Sequence, residues 1–249
     1  RCSSIAMIEA VGAIIGVVIA PMLLALIDRI PARMALVWKQ EAAEVVEVIA
    51  LPAKASPRRQ SVLWNACITI LSSILTAAVM TRGGTAVECV TGVILTWGLL
   101  LLAGIDYRTA LLPDRITQPI LWIGLLLSVT NTFIPASSAV MGVAAGYGLL
   151  VLIQLGSWLL TGEEGIGQGD VKLLAALGAW MGPYLMPCVL GMALTLHLGV
   201  KIASRRTIHA QMAFGPCLAL AGWTCFVIGP SLARFLHMPS AIFAGAVFR

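Results

Sequence analysis

Aspartate and glutamate together number only 11 in a chain of 249 residues, so each can be weighed for the chemistry it could do. Glu41, Glu44 and Glu47 recur along Lys39–Ile49 among Val45, Val48 and Ile49, the pattern of a solvated face on an amphipathic helix. Glu9 and Glu88 lie near the outer ends of apolar runs and read as interfacial, while Asp28 beside Arg29 reads as the end of the first run. Asp106 and Asp170 differ. Asp106 follows Leu99-Leu-Leu-Leu-Ala-Gly-Ile105 directly, and Asp170 follows Gly165-Ile-Gly-Gln-Gly169 and opens another apolar run. An ionisable group at such depth is costly to keep and is a functional-site candidate by default, for proton transfer or ion binding. Gly165, Gly167 and Gly169 alternate before Asp170, so the backbone there can take positive φ and approach another segment closely. By spacing alone two plainer readings stand beside this one: Asp170 as the N-cap of the next helix, and Asp106 as a helix-end anchor paired with Arg108.

Other catalytic chemistries find no support. His197, His209 and His237 are scattered, with no Ser/His/Asp or Cys/His set and no HExxH, so no metal site is expected. None of the six cysteines forms a CxxC, and five lie in or beside apolar runs, as buried thiols do.

The elements that must hold the two aspartates follow from composition. Hydrophobic residues make up 59% and charged residues 11%, with mean hydropathy +0.97, which excludes a disordered chain, a disulfide scaffold and nearly every soluble enzyme. Stretches free of Asp, Glu, Lys and Arg run 10–27, 60–81, 89–105, 116–162, 173–200 and 207–233. A spanning helix needs about 20 apolar residues. The stretch 116–162 must therefore turn once, at Asn131 and Pro135, and 173–200 breaks at Met181-Gly-Pro-Tyr-Leu-Met-Pro187. The expectation is an all-α, polytopic integral membrane protein of about eight transmembrane helices, a single membrane domain over 1–249 with one cytoplasmic loop at 28–61. The first apolar run has no small-residue cleavage site and is followed by many more, so a cleavable signal peptide is not expected. Of the 16 Lys and Arg, 12 fall in the loops 28–59, 106–115, 161–172 and 201–211. The positive-inside rule puts those loops, and with them Asp106 and Asp170, on the cytoplasmic side.

Three segments, in order and on one membrane face, resemble the type IV prepilin peptidase family, the bacterial GxGD aspartyl proteases. Asp106-Tyr-Arg-Thr-Ala-Leu-Leu-Pro-Asp114 is similar to the family's first aspartate segment, Gly167-Gln-Gly-Asp-Val-Lys-Leu-Leu-Ala-Ala-Leu-Gly-Ala-Trp180 to its second, and Phe214-Gly-Pro216 to its Phe-Gly-Pro segment. The order Asp106-Tyr107 sets the chain apart from presenilin-type proteases, which usually read Tyr-Asp. The resemblance implies a peptidase core over 106–236 with Asp106 and Asp170 as catalytic pair and Gly167, Gly169 and Lys172 in support. Asp114 and Lys172 also match family positions, but a structural reading is preferred for both: Asp114 is expected to cap the fourth span and Lys172 to snorkel to the interface, while Gly215 and Pro216 shape the start of the last helix. Two carboxylates held close in a partly desolvated place share one proton, so one activates water and the other polarises the scissile carbonyl.

The implied substrate is a type IV prepilin or pseudopilin, cut on the cytoplasmic side of the bacterial inner membrane, with the lipid bilayer as the other partner and no nucleic acid. Such leaders are typically basic, and Glu163 and Glu164 read either as an acidic pair that attracts one or as a solvated loop. Proteolysis implies no cofactor. Family members often also N-methylate the new amino terminus, for which S-adenosylmethionine would be the donor. Here the amino-terminal third departs from the pattern: Ala20-Pro-Met-Leu-Leu-Ala-Leu-Ile27 before Arg29-Ile-Pro31 lacks the family's Gly, Ser and Asn, and 28–59 has no cysteine. Two readings outside the peptidase class are a transporter whose acids bind protons or ions, and a pilus-assembly scaffold with structural aspartates.

Overall fold

The computed structural model describes residues 2–45, 62–82, 84–162, 167–204 and 213–235. All the regular structure among them is helical: α1 (Cys2–Val45), α2 (Val62–Thr81), α3 (Ala86–Thr109), α4 (Asp114–Val129), α5 (Ala136–Thr161), α6 (Gln168–Met181), α7 (Met186–Ala203) and α8 (Gly215–Phe235). Five are long and apolar enough to cross a membrane: Ala6–Leu36 of α1, α2, α3, Ala136–Leu160 of α5, and α7; Gly215–Gly229 of α8 is a shorter apolar stretch. The chain is an all-α polytopic membrane protein. The helices form two compact units, Arg1–Thr81 and Arg82–Arg249.

In the first unit α1 and α2 run antiparallel in close contact, because Gly12 faces Ala77 and Gly16 faces Ser73. A Cβ at Gly16 would lie 2.5 Å from the Ser73 Cα, and the Ser72 hydroxyl donates to the Gly16 carbonyl at 3.1 Å. Small residues four apart let two backbones meet in this way. Contrary to expectation, Asp28 does not end the first helix. α1 runs on through Pro21, Asp28 and Pro31 to Val45, 44 residues in all. Proline removes one helix hydrogen bond but need not break a membrane helix, where neighbours and local adjustment satisfy the freed carbonyl. Of the amphipathic stretch 39–49, the part to Val45 continues α1; the remainder, to residue 61, lies outside the described residues.

The second unit is organised around α6. Every residue from Val171 to Met181 except Lys172 is buried, and α4, α5, α7 and α8 all pack against it. At 14 residues it is about 21 Å long, short of the ~30 Å hydrocarbon core. Its neighbours, not lipid, cover it. The same holds in part for the 16-residue α4, whose buried face is Thr117, Ile120, Gly124 and Ser128. Contact between α5 and α6 is backbone on backbone: Gly142 meets the Gly178 carbonyl, Gly178 meets that of Gly142, and Gly146 meets that of Leu174. The Trp180 indole N–H donates to the Ile120 carbonyl at 2.9 Å, tying α6 to α4. Its ring joins Phe133 and Phe226 in a cluster with centroids 5.4–6.1 Å apart. The predicted turns are present, with Asn131 left-handed at φ 53° and Gly182 at φ 76°.

Glu88 departs from its interfacial reading. It is 6% exposed in the first turn of α3, where its N–H donates to the N-cap hydroxyl of Thr85. Arg82 lies near it, with its guanidinium 4.6 Å from the Phe226 ring centroid. A buried carboxylate needs such a counter-charge.

Candidate active site

Asp106 sits in the last turn of α3, 4% exposed, and its carbonyl accepts the N–H of Ala110, the left-handed residue that stops the helix. Leu111, Leu112 and Pro113 then turn the chain into α4. Asp170 is the third residue of α6. The fold brings these carboxyls, 64 positions apart in sequence, within Coulombic reach of each other. Asp170 is not the N-cap of α6: Gly167 holds that place, and its carbonyl accepts the Asp170 N–H at 3.1 Å.

Gly167 and Gly169 act through space, not through φ, while Gly165 lies outside the described residues. Gly167 has φ −71°, and Gly169 is inside the helix. Among the described residues of this connection, the positive φ belongs to Gly162, the C-cap of α5. A Cβ at Gly169 would sit 2.7 Å from the Leu112 Cβ, so only glycine lets the α3–α4 turn lie against the start of α6. One at Gly167 would sit 3.4 Å from Asp170 Oδ2. Glu163 and Glu164 lie outside the described residues.

Asp114 also differs from expectation. The N-cap of α4 is Pro113, with no side-chain cap, and Asp114 instead pairs with Lys172 Nζ at 2.6 Å across α4 and α6. Both side chains stay roughly half exposed, which suits a boundary between apolar bundle and polar face.

Gly215 belongs to the site more directly than its sequence reading allowed. Its N–H, in the first turn of α8, donates to Asp106 Oδ2 at 2.9 Å. A Cβ there would fall 2.6 Å from that oxygen. The signal was present in Phe214-Gly-Pro216, but nothing in the order of residues says what the glycine faces. Phe214 in turn stacks edge-on against His197 of α7, centroids 5.4 Å apart. The arrangement can therefore hold two carboxyls together, Asp106 buried with a fixed backbone donor and Asp170 partly buried, which is the equipment for acid–base attack of water on an amide.

The model of the type IV leader peptidase family matches residues 93–202, which include both aspartates. The chain is 40% identical over 173 residues to a prepilin leader peptidase/N-methyltransferase of Aeromonas salmonicida, covering 68% of this chain and 58% of that protein. It is 38% identical over 170 residues to that of Neisseria gonorrhoeae, covering 68% and 59%. With that of Escherichia coli K12 it shares 39% identity over 169 residues, covering 66% of this chain and 74% of the relative. The chain thus spans somewhat over half the length of the first two relatives. No solved structure matches it. With Asp106 and Asp170 inside the matched segment and the Escherichia coli relative covered over most of its length, the chain belongs to the type IV leader peptidase family.

Proposed function

We propose that this protein is a membrane aspartyl endopeptidase that cuts the leader from type IV prepilins or pseudopilins, with Asp106 and Asp170 as the catalytic pair. The observation that carries the reading is their convergence: two carboxyls from different helices, with Asp106 buried, brought within Coulombic reach of each other beside a largely apolar core. A scaffold gains nothing from that juxtaposition, since like charges brought together out of water destabilise the fold. A peptidase needs it. The substrate class comes from the relatives' names, and the apolar α2, α3, α5 and α7 suit a substrate held in the bilayer by its own helix. The positive-inside rule favours the cytoplasmic side for the pair, and the family reading implies the bacterial inner membrane.

Methyl transfer has less to stand on. The side chains of 20–27 are all apolar, and Ala20, Leu23, Leu24 and Ile27 are buried in the first unit. That stretch offers no polar side chain to hold S-adenosylmethionine.

The test is cleavage of a prepilin by the purified full-length chain. Asparagine keeps the shape of aspartate but can neither share the proton nor act as base. Losing acid–base catalysis costs roughly 10²–10⁴-fold, so Asp106→Asn and Asp170→Asn should each insert and fold yet leave prepilin essentially uncut. Near-parental cleavage by either folded variant would sink the two-aspartate mechanism. The proposed attraction of a basic leader by Glu163 and Glu164 has its own readout. Changing both to Gln should weaken binding more at low salt than at high, because screening acts over about 8–10 Å at moderate ionic strength; identical salt curves would remove it.

A further inference from the structure

The two aspartates meet with unequal partners. Phe214 caps α8, its carbonyl accepting the Leu218 N–H at 3.1 Å. The Gly215 N–H therefore belongs to the first turn, where helix N–H groups have no intrahelical acceptor. It is spent on Asp106 Oδ2 at 2.9 Å, and the missing side chain of Gly215 is what lets the two atoms meet. Asp170 has nothing comparable. Its Oδ1 is shut off from solvent, and no donor among the described residues reaches it. The neighbouring groups do not reverse this asymmetry. Cys217 of α8, a thiol, lies within Coulombic reach of Asp106. Lys172, two residues beyond Asp170, is engaged with Asp114 at 2.6 Å.

Helix dipoles pull the other way. Asp106 lies at the C-terminal end of α3, which disfavours its charge, and Asp170 in the first turn of α6, which favours it. A direct N–H bond to a carboxylate outweighs an end-of-helix dipole, because the donor is in contact and the dipole is spread over a turn.

We infer that Asp106 is the base of the pair and that Asp170 carries its single proton. The assignment deepens the peptidase reading and rests on it. In the first step Asp106 takes one proton from water as the water oxygen bonds to the scissile carbonyl carbon, and Asp170 gives its proton to the carbonyl oxygen. A gem-diol results. In the second step Asp170 takes a proton back from one hydroxyl, Asp106 passes the water-derived proton to the amide nitrogen, and the C–N bond breaks. Both carboxyls return to their starting states, with no outside oxidant or reductant.

The test is differential esterification of the full chain in lipid vesicles at neutral pH. A small epoxide alkylates ionised carboxylates; a copper-activated diazoacetyl ester reacts with protonated ones. Peptide mass mapping should place the epoxide adduct on Asp106 over Asp170, and the diazo adduct on Asp170 over Asp106, each by roughly tenfold or more. The reverse pattern, or an even split, overturns the assignment. Gly215→Ala, whose methyl would push the donor off Asp106, should cut epoxide labelling of Asp106 by roughly tenfold. Unchanged labelling in a folded variant overturns the role given to the N–H, and if that variant does not fold the parental pattern still decides. A prepilin cleavage assay on the same preparation separates the two claims. Labelling as expected without cleavage removes the peptidase reading and with it the role of base, leaving only the position of the proton; cleavage with reversed labelling removes only the assignment.

Discussion

Lys172 and Asp114 share a face with the catalytic candidates, yet their geometry gives them a different task. Their 2.6 Å ion pair joins α4 to α6 with side chains 40% and 48% exposed. Pairs with that much water around them contribute about 0–1 kcal/mol. Asp114→Asn should therefore leave the melting temperature in detergent almost unchanged and keep prepilin cleavage within about tenfold of the parent, the allowance for a slightly loosened α6 start. Reversing the pair, Asp114→Lys with Lys172→Asp, should recover part of whatever the single changes lose. A collapse of activity in Asp114→Asn with the fold intact would mean that this carboxylate takes part in the chemistry.

At the scale of elements, the position of Asp170 depends on how close α5 comes to α6. Gly142 and Gly178 meet backbone to backbone, so even one methyl must push the helices apart. Overpacking of this kind costs about 1–3 kcal/mol. Gly142→Ala should lower thermal stability by that order and reduce cleavage as well, because α6 carries Asp170 in its first turn. Gly148 in the same helix provides the control. A Cβ there meets nothing within 4 Å, so Gly148→Ala should be neutral or stabilising by about 0.5–1 kcal/mol through helix propensity. Equal effects at the two sites would contradict the packing. Gly16 of α1 offers a parallel case in the first unit: Gly16→Leu should part α1 from α2, read as loss of a disulfide engineered between facing positions of the pair.

For the whole molecule, the testable property is orientation. The basic loops 106–115 and 201–211 predict a cytoplasmic site, and the turn at Asn131 then faces outward. Leu111 is 42% exposed and Asn131 is also exposed. Over the parent's own background, Leu111→Cys should react with a membrane-impermeant maleimide only after spheroplasts are permeabilised, and Asn131→Cys in intact ones. The opposite pattern would put the aspartates outside and rule out a leader cut in the cytoplasm.

Membrane character, helix type and the two aspartates were legible in the sequence because each is local. Apolar runs report burial in lipid or protein, Asn131 and Pro135 report a turn, and a carboxyl at the end of an apolar run stands out by its cost. Side-chain composition could not say that α6, only 14 residues long, is wrapped by its neighbours, since an apolar residue looks the same whether it faces leucine or lipid. Nor could it reveal that Asp28 lies within α1, because charges and prolines mark a probable helix end without enforcing one. Glu88 shows the same limit: a carboxylate near a helix start is cheap in water and tolerable inside only with a cation nearby, and the turn into α3 brings Arg82, six positions earlier, within Coulombic reach. The largest gap is at the site itself. The sequence supplied Asp106, Asp170 and Gly215, but the 2.9 Å contact between Gly215 and Asp106 spans 109 positions. That distance is closed by packing α3 against α8 through many weak contacts, and no short motif records it.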